Sequence, residues 1–123
     1  MLTGRITKPE DIPEGDFRKT LPRFQKENFA KNLELVRELE KTANKLGCTP
    51  AQLAISWIRS LSEKNGNPEI IPIPGSATVE RVNENAKYAP LSKENLAEIE
   101  SILQSFEVVG GRYGGIAAEF MHG

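Results

Sequence analysis

A chain of 123 residues is the size of one ordinary domain, and 38% apolar with 27% charged residues is the composition of a globular protein in water. Sixteen basic against 17 acidic residues leave a net charge of −1, which excludes nucleic-acid binding by bulk electrostatics but not one local basic site. No apolar stretch approaches the ~18–20 residues of a membrane span, no signal-peptide core is visible, and the one cysteine, Cys48, has no internal partner; a cytoplasmic, reducing setting is expected.

Residues 1–27 read as loop, since Gly4, Pro9, Pro13, Gly15 and Pro22 interrupt the charges and no period of 2 or 3.6 survives. From Asn28 a helical stripe emerges, with Phe29, Leu33, Val36, Leu39, Ala43 and Leu46 on one side. Lys31, Glu34, Arg37, Glu38 and Lys41 lie opposite. Gly47 is a natural stop. "TPAQ" then opens a second helix, roughly Pro50 to Leu61, with Thr49 as N-cap, Pro50 at N1 and Gln52 closing a capping box. That helix is apolar almost all round, which predicts burial on more than one side.

"SEKNGNPE" is a polar turn, and Ile70 to Ile73, short and β-branched around Pro72, predicts a brief strand. A third helix is expected from about Thr78 to Tyr88, with Val79, Val82, Ala86 and Ala89 facing inward and Arg81, Glu84, Asn85 and Tyr88 outward. Ser92 caps a last amphipathic helix through Phe106, with Leu96, Ile99, Leu103 and Phe106 inward. Residues 107–123 read as a flexible, Gly-rich tail. The one histidine, His122, lies in that tail, so neither a metal site nor a Ser-His-Asp triad is expected. Four helices leave the strand without a partner, so the chain reads as part of a larger fold.

"IIPIPGSATVERVNEN" is a strand feeding a helix N-terminus, where free N–H groups and the helix dipole attract anions. Gly75, Ser76, Ala77 and Thr78 precede the helix, and Arg81 one turn in can give a phosphate a bidentate contact. Spacing alone favours an ordinary N-cap with a solvated face. Asn85, a poor helix former in mid-helix, tilts toward a site. Other readings are weaker. A helix-turn-helix around Gly47-Cys48 would have a recognition helix offering only Gln52, Ser56 and Arg59 as polar readers. Cys48 precedes a helix N-terminus, which can depress a thiol pKa, but a linker cysteine is the simpler reading.

The stretch resembles the cofactor signature of the aldo-keto reductases, an eighth strand running into the last barrel helix. Pro74, Gly75, Ser76, Arg81, Glu84 and Asn85 stand at that family's spacings. "NFAKNLELVRELEKTANKLGCTPAQLAISWI" resembles its seventh-helix region, and "LTGRI…DFRKTLPRF" the long loop before it, so the similarity spans about residues 2–106.

The resemblance implies an α/β class: the C-terminal part of a TIM (β/α)8 barrel, from the end of loop 7 through helix 7, strand 8, helix 8 and an extra C-terminal helix. Residues 1–123 would then be a partial domain, mostly helical alone. It implies NADP(H) and a small carbonyl substrate. Gly75, Ser76, Thr78, Arg81 and the Ala77 backbone would lie at the 2′-phosphate, and Glu84 and Asn85 at the adenine edge. Many members have Lys where this chain has Gly75, but Gly also occurs there in the microbial and plant branches. The resemblance, to a microbial/fungal-type branch, thus implies weaker NADP selectivity and not its loss. The family's Tyr, Asp, Lys and His come from strands one to four. No position here maps onto them, and neither Tyr88 nor Tyr113 is a candidate catalyst. The loop basic residues Arg18, Lys19 and Arg23 could fold over a dinucleotide, and Arg112, Tyr113 and Phe120 could line a substrate mouth. The alternative is a free-standing helical interaction module derived from such a barrel, with oligomerisation possible through its exposed apolar surface.

Overall fold

The computed structural model describes residues 1–62, 64 and 66–114. Four α-helices carry the fold: α1 (Lys26–Lys45), α2 (Pro50–Ser60), α3 (Val79–Ala86) and α4 (Lys93–Ser105). Three 3-10 turns, Pro9–Asp11, Phe17–Thr20 and Pro22–Phe24, punctuate the leading loop.

Helix α1 buries the expected stripe: Phe29, Leu33, Val36 and Ala43 are buried, and Leu39 and Leu46 pack beside them. It stops through Gly47, whose φ of 64° lets the Cys48 N–H reach the Ala43 carbonyl (3.0 Å) and the Gly47 N–H the Asn44 carbonyl (3.1 Å). That pair of bonds is the Schellman stop, which only a residue at ease in the left-handed region allows cheaply. At the start of α2 the Gln52 N–H donates to Thr49 Oγ1 (3.2 Å) and the Thr49 N–H to Gln52 Oε1 (3.0 Å), closing the capping box. Ser92 and Asn95 exchange the same two bonds at the start of α4.

Two apolar clusters meet along α1. Ile6, Ile12, Phe29, Leu33 and Val36 gather the N-terminal segment onto its first half. Ala43, Leu53 and Ile99 join α1, α2 and α4 at the other end, with Trp57 and Leu103 against them. Glu98 on α4 accepts from Thr42 Oγ1 (3.2 Å) and pairs with Lys45 Nζ (2.7 Å), tying α4 to α1. Lys45 and then Thr42 hold the Glu98 carboxyl below the usual carboxylate range.

Several of these expectations need correction. Ile70–Ile73 forms no strand, and no strand occurs among the described residues. Ladder bonds need a neighbour, and here the Ser62 hydroxyl takes that place: the Ile70 N–H donates to it (2.9 Å) and it donates to the Ile70 carbonyl (3.2 Å). Ile71 and Ile73 are 74% and 92% exposed. Second, the apolar face of α3 does not pack inward, since Val79 and Val82 are exposed and Ala86 faces solvent with them. Third, only Leu53 and Ser56 of α2 are fully buried, because α1 and α3 cover too little of its surface. The α3 helix is also shorter than Thr78–Tyr88. Residues 107–114, read from their glycines as tail, are anchored at Val109 and Gly110. The rest of that tail, with Phe120 and His122, lies outside the described residues.

Candidate cofactor site at the start of helix α3

Thr78 is the N-cap of α3, its hydroxyl accepting from the Arg81 N–H (3.3 Å). Ser76 turns back across the helix, and its Oγ accepts from Asn85 Nδ2 (2.8 Å). That bond explains the mid-helix asparagine, because Asn85 fastens the second turn of α3 to the loop before it. A recess of about 440 Å3, lined by Pro72, Pro74, Ser76, Val82, Asn85 and Ala86, opens beside it. Gly75, Ala77 and the rest of the loop are exposed, and a Cβ added at Gly75 would meet nothing within 4 Å. Arg81 is half-buried, with no ion pair to it among the described residues.

The structure therefore brings Ser76, Thr78, Arg81 and Asn85 together around one helix start, and Gly75 and Ala77 complete the loop. Glu84 works differently, because its carbonyl accepts from Gln52 Nε2 of α2 (3.1 Å). Two further bonds brace the other end. Ser56 Oγ accepts from the Ala89 N–H (3.0 Å), and the Arg59 guanidinium lies 4.1 Å from the centre of the Tyr88 ring. So the three polar residues that a DNA-reading α2 would offer are instead the struts that hold α3.

Glu80 was not anticipated. Its carboxyl is held below the usual range, first by its own backbone N–H and then by the Thr78 hydroxyl. A helix start favours an anion, and here the chain supplies one of its own. An acidic residue two positions after a Thr N-cap is the signal that could have found it. Gln52 also had a legible hint, since an amide that closes a capping box with its oxygen still has two donors to place.

The loop cations already have partners. Arg18 grips Asp16 through Nε (3.0 Å) and Nη2 (2.6 Å), which with the Arg18 N–H drives the Asp16 carboxyl down to about 2. Lys19 pairs with Glu14, and Arg23 donates to the Gly110 carbonyl (3.1 Å). Arg112 lies over the Tyr113 ring at 5.5 Å. Burial pushes the Cys48 thiol up, opposite to what a reactive cysteine needs. Among the described residues no group of three His, Cys, Asp or Glu side chains could hold a metal, and no helix is long and apolar enough to cross a membrane.

The model of the Aldo/keto reductase family matches residues 1–104. The aldo-keto reductase yakc [NADP(+)] of Schizosaccharomyces pombe is 44% identical over 114 residues, 91% of this chain and 32% of that protein. A putative pyridoxal reductase of Saccharomyces cerevisiae is 38% identical over 122 residues, 92% and 35% of the two chains. The aldo-keto reductase str7 of Strobilurus tenacellus is 34% identical over 114 residues, 91% and 32%. The chain thus spans about a third of the length of the curated relatives it matches. No solved structure matches it.

Proposed function

Since this chain belongs to the aldo/keto reductase family, we propose that it is the C-terminal, cofactor-gripping segment of an NADP(H)-dependent carbonyl/alcohol oxidoreductase. The observation that carries the reading is the cluster at the start of α3. Arg81, with no ion pair among the described residues, the exposed residues Gly75–Ala77 and the Ser76–Asn85 bond flank the start of one helix. A 2′-phosphate wants helix-start donors and a guanidinium, and Ser76, Thr78 and Arg81 offer them. The Glu84 and Asn85 side chains would meet the adenine amino edge. The Glu80 carboxylate, favoured by its own N–H and the Thr78 hydroxyl, would have to give way to a phosphate bound at this helix start.

The nicotinamide supplies the hydride when the cofactor is bound. The proton donor and its assisting residues would come from the part of the barrel that precedes this segment, so the chain alone is expected not to turn over. The apolar groove along α1, α2 and α4, about 480 Å3 and lined by Leu35, Leu39, Leu53, Trp57 and Leu103 among others, would be the face that meets the barrel strands. The same groove favours a second reading, a helical module that docks a partner. Light scattering separates the two: a module is a folded monomer or a defined oligomer, whereas an unpartnered barrel segment self-associates without a defined size.

The direct test is titration of NADPH and NADH into a complete barrel carrying this segment, with and without Arg81→Ala. NADPH binding should weaken by ~1.5–3 kcal/mol, the worth of a hydrogen bond to a charged group, with NADH little changed. Equal losses for the two cofactors sink the 2′-phosphate assignment. NADPH oxidation by the isolated chain with simple aldehydes would refute the missing catalytic centre.

A further inference from the structure

Asn32 sits in the middle of α1, 4% exposed, on the stripe that otherwise carries Phe29, Leu33 and Val36. A buried amide in a helix interior is disfavoured by propensity and tolerated only when its donors and acceptor are met. Here they are met from far along the chain. Asn32 Oδ1 accepts from the Val109 N–H (2.9 Å), and Nδ2 donates to the Val109 carbonyl (2.9 Å) and, longer, to the Arg23 carbonyl (3.3 Å). One side chain thus pairs with both backbone groups of Val109, as a neighbouring strand would. Arg23 Nε closes the ring from the turn by donating to the Gly110 carbonyl (3.1 Å), while Asn28 Nδ2 donates to the Pro22 carbonyl (2.9 Å).

Gly110 shows how tightly the two segments pass. Its φ is +81°, and an added Cβ would lie 2.8 Å from Asn28 Nδ2, 2.9 Å from the Pro22 carbonyl carbon and 3.0 Å from the Arg23 nitrogen. Two of those three are backbone atoms, which cannot swing aside. A side chain there would push the segments apart.

We propose that Asn32 is the pin of a clasp joining the turn Pro22–Phe24 to the segment Val108–Gly110, so that the two are ordered and released together. Arg112 and Tyr113, which continue from the clasp, then take their positions from the turn. A contact that orders either segment orders both, through polar groups whose loss leaves buried partners unpaired. The inference goes beyond the cofactor reading and does not depend on it.

Hydrogen exchange on the full chain, followed on peptides covering 17–25 and 106–114, tests the clasp without any cofactor. Asn32→Leu keeps the side chain's size and a good helix former but removes all three bonds. Exchange should quicken in both peptides together, by roughly tenfold or more, with α2 and α4 unchanged. Gly110→Ala strikes from the other side with Asn32 intact, and should loosen both peptides as well. It also decides the matter if Asn32→Leu quickens exchange everywhere by failing to fold. Faster exchange at 106–114 with 17–25 unchanged in Gly110→Ala overturns the coupling, and so does unchanged exchange in both peptides.

Discussion

The two faces of α2 meet different surroundings. On the α1 side, Leu53 closes against Ala43 and Ile99, and polar groups such as Thr42 and Asn32 are buried only where each has partners. On the α3 side, Ile71, Ile73, Val79 and Val82 stand exposed, and the helix is held by Gln52, Ser56 and the Arg59–Tyr88 contact. Both regions carry apolar residues at regular spacing. They differ in whether the described residues cover them. Apolar area left in water contributes nothing to stability, so the folding free energy must sit in the α1/α2/α4 half. The half that carries the candidate cofactor residues is tied to it mainly by polar contacts, from Gln52, Ser56, Arg59 and Ser62.

The largest test of that contrast pairs one substitution in each half. Ile99→Ala, at a side chain 2% exposed, should cost ~2–5 kcal/mol in urea unfolding. Ile73→Ser should fall within ~0.5 kcal/mol, as surface changes do. Comparable losses would mean that Ile73 has a packing partner in solution. Next in size is Ser56→Ala, which leaves the part-buried Ala89 N–H without its acceptor and should cost ~0.5–1.5 kcal/mol. Exchange should then quicken in residues 79–89 while α4 stays protected. If α4 loosened equally, the two halves would be one cooperative unit.

The contrast also marks how far the sequence could be read. Where the partner of a residue lies within the chain, local rules sufficed: the Thr49–Gln52 box, the Gly47 stop and the α1 stripe all follow from spacing. Residues 70–89 carry apolar patterns that the described residues leave uncovered, so the strand and inward face that spacing predicts do not form. The candidate cofactor residues could be picked out because they cluster around one helix start. The clasp was not, because Asn32 and Val109 are 77 positions apart and nothing in a helical stripe says what its one amide will meet. Glu80 was hidden for the opposite reason: a charged residue in a first turn is too ordinary to notice.

Acid titration of the leading loop gives a smaller effect in the well-packed half. The Asp16 carboxyl is lowered from 3.8 to about 2 by the Arg18 side chain and then its N–H. A folded pKa below the unfolded one means the contribution is complete above about pH 4 and is lost as pH falls through 2. Carboxyl NMR should show a midpoint near 2 for Asp16, and Arg18→Gln should return it most of the way. A midpoint near 3.8 in the intact chain would show the Asp16–Arg18 pair open in solution.

The smallest expected effect lies in the weakly held half and bears most directly on function. Glu80 and a phosphate would compete for the same helix start, since α3's own N–H and Thr78 favour the ionised carboxylate. Glu80→Gln keeps the size of the side chain and removes its charge. In a complete barrel it should tighten NADPH by roughly two- to fivefold, the scale of one exposed charge at a helix terminus, and leave NADH alone. The gain should shrink with added salt, since the carboxylate is fully exposed and screened. A matching gain for NADH would mean that the phosphate does not sit at this terminus. Unchanged binding of both would mean that Glu80 swings clear at no cost, and that α3's start is held by its own carboxylate only when nothing else is there.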